Sequence, residues 1–169
     1  MTKKAPHAII ETQGKGNPKH QKEKAMTKMI WFDMDGTIAD FYSVNNWLTC
    51  LINEDTTPYD NAKPLLNFSQ FARYLNKIQK HGWKIGIISW GSKNATDDFL
   101  HRITISKIKW LRTHLKSVTW DEIKIVPYGT NKFNICGGGI LFDDEEKNRN
   151  TWGNNAFSPS EIINILRGI

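Results

Sequence analysis

The stretch MIWFDMDGTIADF, residues 29–41, decides how this chain is read. Four apolar residues, Met29 to Phe32, run straight into Asp33, with Asp35 two positions on and Gly36 behind it. A short apolar run stopped by polar residues and a glycine reads as a strand buried on both faces. The glycine lets the chain turn away tightly. Two carboxylates at the end of such a strand repel each other. At ~4 Å and an effective dielectric near ~20, the repulsion is about 4 kcal/mol. Other residues must offset it.

Working outward, the same strand grammar recurs. WKIGIIS (83–89) is a second buried strand, and IKIV (123–126) and GILF (139–142) are a third and a fourth strand. Between them lie amphipathic stretches. Residues 43–53 place Val44, Trp47, Leu48, Leu51 and Ile52 on one helical face, with Ser43 as N-cap. EDTTPYDNAKP comes next as a loop. Phe68, Phe71, Leu75 and Ile78 recur at helical spacing behind an Asn67 cap, with Gly82 as the stop. Residues 94–116 form a long helix with Leu100, Ile103, Ile108, Leu111 and Leu115 inward. The chain closes on a helix with Ser158 as N-cap, Pro159 in its first turn and Glu161 completing a capping box. Apolar strands alternating with amphipathic helices imply an α/β fold: a Rossmann-like parallel sheet with helices on both faces.

The bulk numbers suit one such domain. The chain has 169 residues and a net charge of +6. That charge is uneven: residues 1–28 hold seven lysines against two glutamates, leaving +1 for residues 29–169. The first 28 residues read as a basic, disordered tail capable of weak nucleic-acid contact, and 29–169 as the folded domain. No apolar run is long enough to span a membrane, and no apolar segment comes after the N-terminal lysines as a secretory signal would require. Cys50 and Cys136 alone make neither a disulfide framework nor a zinc pattern, which suits a reducing, cytoplasmic setting.

In parallel sheets ligands bind beyond the carboxyl ends of the strands. There the chain places Asp33 and Asp35, Ser89 with Trp90, Lys132, and Asp143 with Asp144. Carboxylates without histidine or cysteine at ligand spacing suit a hard cation with oxygen ligands, most naturally Mg²⁺. A cation plus a lysine offsets the carboxylate repulsion and leaves a positive hole that fits a phosphate group. Ser89, its neighbour Trp90 and Lys132 are the phosphate-binding candidates. Lys124 and Lys93 are alternatives for the lysine. A carboxylate can attack phosphorus, and a second one nearby can protonate the leaving oxygen and then activate water.

Asp33-Met34-Asp35-Gly36-Thr37, Ser89 after a buried strand, a later lysine, and Asp143-Asp144 after another buried strand resemble, in order, the four motifs of the haloacid dehalogenase (HAD) superfamily of phosphotransferases. The resemblance covers residues 29 to about 167. It implies Mg²⁺-dependent phosphomonoester hydrolysis through an aspartyl-phosphate. Asp33 would be nucleophile and metal ligand, and Asp35 general acid/base with its carbonyl on the metal. Ser89 and Lys132 would bind the phosphoryl group, and Asp143 and Asp144 would complete the metal site. An aspartate at the second position of the first motif favours phosphatase over dehalogenase chemistry.

The resemblance also implies a cap after the first motif, for which about residues 38–66 leave room: small, so the site stays open to larger substrates. DMDGTIADF is similar to the opening of 5′(3′)-deoxyribonucleotidases, and PYDNAKP with the small cap faintly resembles polynucleotide 3′-phosphatase domains. The whole resembles HAD-like proteins of bacteria and their phages, which would put it in the cytoplasm of a bacterial cell or phage-infected host. A nucleotide or nucleic-acid phosphate end is the expected substrate. The alternatives are a small non-nucleotide metabolite, or a non-catalytic nucleic-acid-binding module on the same fold. Tyr42, Trp47, Tyr59 and Trp90 lie near the expected mouth, where an aromatic ring stacks on a base, although Trp47 reads as core. Glu145, Glu146, Lys147 and Arg149 read as a surface charge run, with Asn148 able to reach the metal.

Overall fold

A computed structural model describes residues 28–169, so the tail expected over residues 1–28 lies, but for Lys28, outside the described residues. Five strands form one parallel sheet in the order β5-β4-β1-β6-β7: β1 (Met29–Phe32), β4 (Lys84–Trp90), β5 (Glu122–Val126), β6 (Ile140–Phe142) and β7 (Ala156–Phe157). β1 lies at the centre, and all four of its side chains are buried, because both faces of the sheet are covered. On one face Ile30, Phe32, Ile85, Ile87 and Phe142 pack against α3 (Phe68–Lys80), α4 (Asp97–His114) and α7 (Ile162–Gly168). On the other, Met29, Trp31, Ile88 and Leu141 meet Trp152 of α6 (Glu146–Trp152) and Cys136 of α5 (Lys132–Cys136). Gly86 makes room there, since a side chain would collide with the Trp31 ring. This is a Rossmann-like α/β architecture. Among the described residues, no helix is long and apolar enough to cross a membrane.

Several local expectations hold. The Asn67 side chain accepts from the Gln70 N–H at 3.0 Å and starts α3. The Glu161 carboxylate accepts from the Ser158 N–H at 2.9 Å, closing the expected capping box, with a 3₁₀ turn (Pro159–Glu161) before α7. α4 starts later than residue 94, at a Thr96 cap that accepts from the Phe99 N–H.

The segment after β1 departs most. The helix expected over 43–53 is α1, Trp47–Ile52. Ser43 does not cap it, because its hydroxyl donates to Asp40 at 2.7 Å, and Asn46 in the left-handed region precedes the helix instead. No residue of α1 is fully buried: Leu48 is 55% and Ile52 73% exposed, while Trp47 and Leu51 pack partly buried on the Phe41 and Tyr59 cluster, so only part of its apolar face is turned inward. The expected loop holds α2 (Thr57–Asn61) and β3 (Lys63–Pro64), which pairs antiparallel with β2 (Ala39–Asp40). This layer is fastened to α4. Phe41 and Tyr59 pack on Phe99 and Ile103. Arg102 donates to the Glu54 carbonyl at 2.7 Å, Ser106 to Asp60 at 3.2 Å, and Trp110 to the Ala62 carbonyl at 2.7 Å.

Candidate functional site

The carboxyl ends of the strands open into a cleft of about 510 Å³. Its floor comes from the sheet. Asp33 comes directly after β1, its N–H donating to the Phe142 carbonyl at 2.9 Å, so the backbone ladder carries on one residue beyond the apolar run. Ser89 is the penultimate residue of β4. Asn131 caps α5 by accepting from the Asn134 N–H, which puts Lys132 at the first position of that helix. Asp143 comes directly after β6. The short stretch from Lys132 to Asp143 holds α5, and Gly137–Gly139 follow it before β6. Asp33, Ser89, Lys132 and Asp143 are each at most 5% exposed.

These groups form one network. The Lys132 ammonium donates to Asp33 Oδ1 at 2.8 Å and to Asp143 Oδ2 at 2.6 Å. Burial alone would lower its pKa, but the two carboxylates reverse this and raise it, so Lys132 is a fixed cation. Asp143 is held from behind by the Glu145 N–H at 2.9 Å and by the Asn148 amide at 3.1 and 3.2 Å. Arg149 donates to the carbonyls of Asp143 and Asp144 at 2.8 and 2.7 Å. The run 145–149 is thus not merely surface: it opens α6, which clamps the Asp143-Asp144 loop. Thr37 is fully buried; its hydroxyl accepts from the Asp144 N–H at 3.0 Å. Gly36 has φ near 74°, and a side chain there would strike the Asp144 carboxylate and the Tyr42 ring.

The carboxylates crowd. Asp33, Asp143 and Asp144 each offer an oxygen within 4.8 Å of the others. Burial first, then Asp33, pushes Asp143 up to about 6; burial, then Asp33, Asp143 and Glu145, pushes Asp144 up to about 7. Asp35 is raised as well, chiefly by burial, which its pairing with Lys107 opposes. An all-oxygen donor set of this kind fits a hard divalent cation. Those three residues could hold one.

Every residue expected at the site lines the cleft except Asp143, which is buried directly behind it. Of the alternative lysines, Lys93 is an exposed cleft residue. Lys124 is not at the cleft: it pairs with Glu122 at 2.7 Å and lies over the Trp31 ring. Trp90 uses its indole N–H on the Thr130 carbonyl at 2.9 Å, and Lys132 sits 5.0 Å from its ring centroid. That N–H is therefore not free for a phosphate. Tyr59 is buried against Phe41 and lines the inner wall, and Trp47 packs partly buried on the same cluster while also lining the cleft.

Sequence reasoning missed Lys107. It lies on α4 with its side chain 1% exposed, 2.8 Å from Asp35 Oδ2 and 2.7 Å from Ser89 Oγ. One signal was present: Lys107 is four residues after Ile103 and four before Leu111, on the helix's apolar stripe. Compared with known families and with curated proteins, the chain matches no family model and no curated sequence.

Proposed function

We propose that this chain is a HAD-like phosphatase that hydrolyses phosphomonoesters with Mg²⁺, its substrate a nucleotide or a nucleic-acid phosphate end. One observation carries the reading: Asp33, Asp35, Ser89 and Lys132, from distant parts of the sequence, meet in one cleft with Asp144 beside them. Asp33, Asp143, Asp144 and the Asp35 carbonyl would hold the metal ion, which supplies positive charge against the carboxylates and the phosphoryl group.

The chain's own residues then divide the work. An Asp33 carboxylate oxygen attacks phosphorus, and the bond to the ester oxygen breaks. Asp35 gives that oxygen its proton, releases the alcohol, and takes a proton from the water that next attacks the Asp33-bound phosphoryl group. Asp33 and inorganic phosphate are regenerated. Lys132 uses two N–H groups on Asp33 and Asp143 and keeps a third for a phosphoryl oxygen.

The walls support the substrate class. On one side Tyr42 and Trp47 lie with ring centroids 5.2 Å apart; on the other, Trp90 and Tyr128 lie 4.9 Å apart. Aromatic rings around a charged floor suit a base joined to a phosphate. The test is phosphate release, with and without Mg²⁺, from an aryl phosphate, sugar phosphates, nucleoside 5′- and 3′-monophosphates, and end-phosphorylated oligonucleotides. Release is expected to require Mg²⁺ and to fall at least about a thousandfold in Asp33→Asn. Release that survives Asp33→Asn rejects the mechanism. A preference for sugar phosphates over every nucleotide rejects the substrate class.

A further inference from the structure

The phosphatase reaction leaves one buried cation unused. The Lys107 ammonium donates to Asp35 Oδ2 at 2.8 Å, to Ser89 Oγ at 2.7 Å and to the Trp90 carbonyl at 2.7 Å. An ammonium has three N–H donors and no lone pair. All three are spent inside the protein, so Lys107 has none left for a phosphoryl oxygen. Lys132 keeps one.

The consequence falls on Ser89. A serine hydroxyl has one proton and two lone pairs. Lys107 can only donate, so Ser89 Oγ accepts from it and must point its own proton elsewhere. Among the described residues that proton meets no acceptor, although Ser89 is 1% exposed and borders the cleft. A buried hydroxyl proton without an acceptor is an unspent donor at the place a phosphoryl oxygen would occupy.

We propose that Lys107 is a positioning residue: it makes Ser89 an obligate donor toward the cleft and clamps the Asp35 carboxylate beside it before substrate arrives. This rests on the phosphatase reading. Without the ammonium, nothing obliges the Ser89 oxygen to accept, and its proton is free to turn away from the cleft toward the side where the Trp90 carbonyl and the Asp35 carboxylate have lost their donor. Lys107 therefore acts on phosphate through Ser89, and the two residues must behave as one unit.

A double-mutant cycle tests this. Ser89→Ala, Lys107→Met and the double variant are compared with wild type in magnesium buffer, reading the inhibition constant of inorganic phosphate and KM for an aryl phosphate. Ser89→Ala is expected to raise both about tenfold, the loss of one hydrogen bond to a charged group. Lys107→Met is expected to raise them by a similar factor, and the double variant no further. Lys107→Gln, whose amide oxygen can take the Ser89 proton, repeats the test if Lys107→Met does not fold. Effects that multiply in the double variant, or Lys107 variants with wild-type phosphate affinity, overturn the proposal while leaving the phosphatase reading standing. A folded wild type that neither hydrolyses a phosphomonoester nor binds phosphate removes both.

Discussion

The floor of the cleft and its cap-side wall are built on opposite terms. On the floor, Asp33, Ser89, Lys132 and Asp143 are buried at strand and helix ends, and their hydrogen bonds reach across the chain. On the wall, α1 contributes no buried residue, and Leu48 and Ile52 turn apolar surface to solvent beside Trp47. The floor is fixed in advance, as charged chemistry requires, because buried charges are tolerated only with their partners in place. The wall keeps its apolar area uncovered, which is where a ligand gains by removing it from water. On the proposed reading chemistry belongs to the floor and selectivity to the wall, and the two layers are expected to respond separately to mutation.

The strongest way to break the contrast is Lys132→Met. It removes the cation shared by Asp33 and Asp143 and leaves two buried carboxylates facing each other. Removing one partner of a buried pair costs about 3–5 kcal/mol. The urea midpoint of the metal-free protein is expected to fall accordingly, and turnover to vanish. Ile52→Ser on the wall is expected to stay within about 0.5 kcal/mol of wild type. Equal losses from the two variants would mean that the layers are not independent.

A smaller effect sharpens the picture of the floor. Asp143 and Asp144 are pushed up to about 6 and about 7 from an ordinary 3.8, by burial first and by neighbouring carboxylates next. Carboxyls raised on folding contribute stability that is complete below their unfolded pKa and lost as pH rises through the folded value. The metal-free protein is therefore expected to lose stability between about pH 4 and about pH 7 on their account. Lys132, raised above its ordinary value, contributes unchanged across that window. The ionised carboxylates are the form a cation binds, so added magnesium should raise Tm more at about pH 8 than at about pH 5.5. Equal shifts by scanning calorimetry would remove Asp143 and Asp144 as ligands.

The same division explains what could be read from the sequence. Strands buried on both faces declare themselves as apolar runs, and the residues just past such a run stand at the sheet edge; that logic brought Asp33, Ser89 and Asp144 to one cleft. Lys107 escaped it. Its partners Asp35 and Ser89 are 72 and 18 residues away, and local periodicity carries no information about such contacts. Read locally, a lysine within an apolar stripe passes for a solvated residue with a long stem. The wall failed for the opposite reason. α1 has the spacing of a core helix, but only Trp47 and Leu51 pack, partly buried, on the Phe41 and Tyr59 cluster, while Leu48 and Ile52 stay exposed, so amphipathicity overstated its burial. α6 was hidden in a charge run whose Asn148 and Arg149 turn back to hold Asp143 and Asp144.

The finest probe of the contrast is Trp47→Ala. Trp47 stacks edge-on against Phe41 and Tyr42, at 5.7 and 5.2 Å between centroids, and is partly buried, so its loss is expected to lower the unfolding midpoint less than Lys132→Met does, and kinetics are read well below that midpoint. Stacking of a base on an aromatic ring is worth about 1–3 kcal/mol. KM for a nucleoside monophosphate is therefore expected to rise about tenfold, with kcat held, while KM for a phosphate ester lacking any ring stays near its wild-type value. The ring-free ester reads the floor alone, and the nucleotide reads floor and wall together. A rise shared by both substrates would mean that Trp47 props the floor, and the wall would then have no selectivity of its own. A rise confined to the nucleotide would give the exposed aromatic face its use: it recognises what the phosphate is attached to, and leaves the phosphate itself to Ser89 and Lys132.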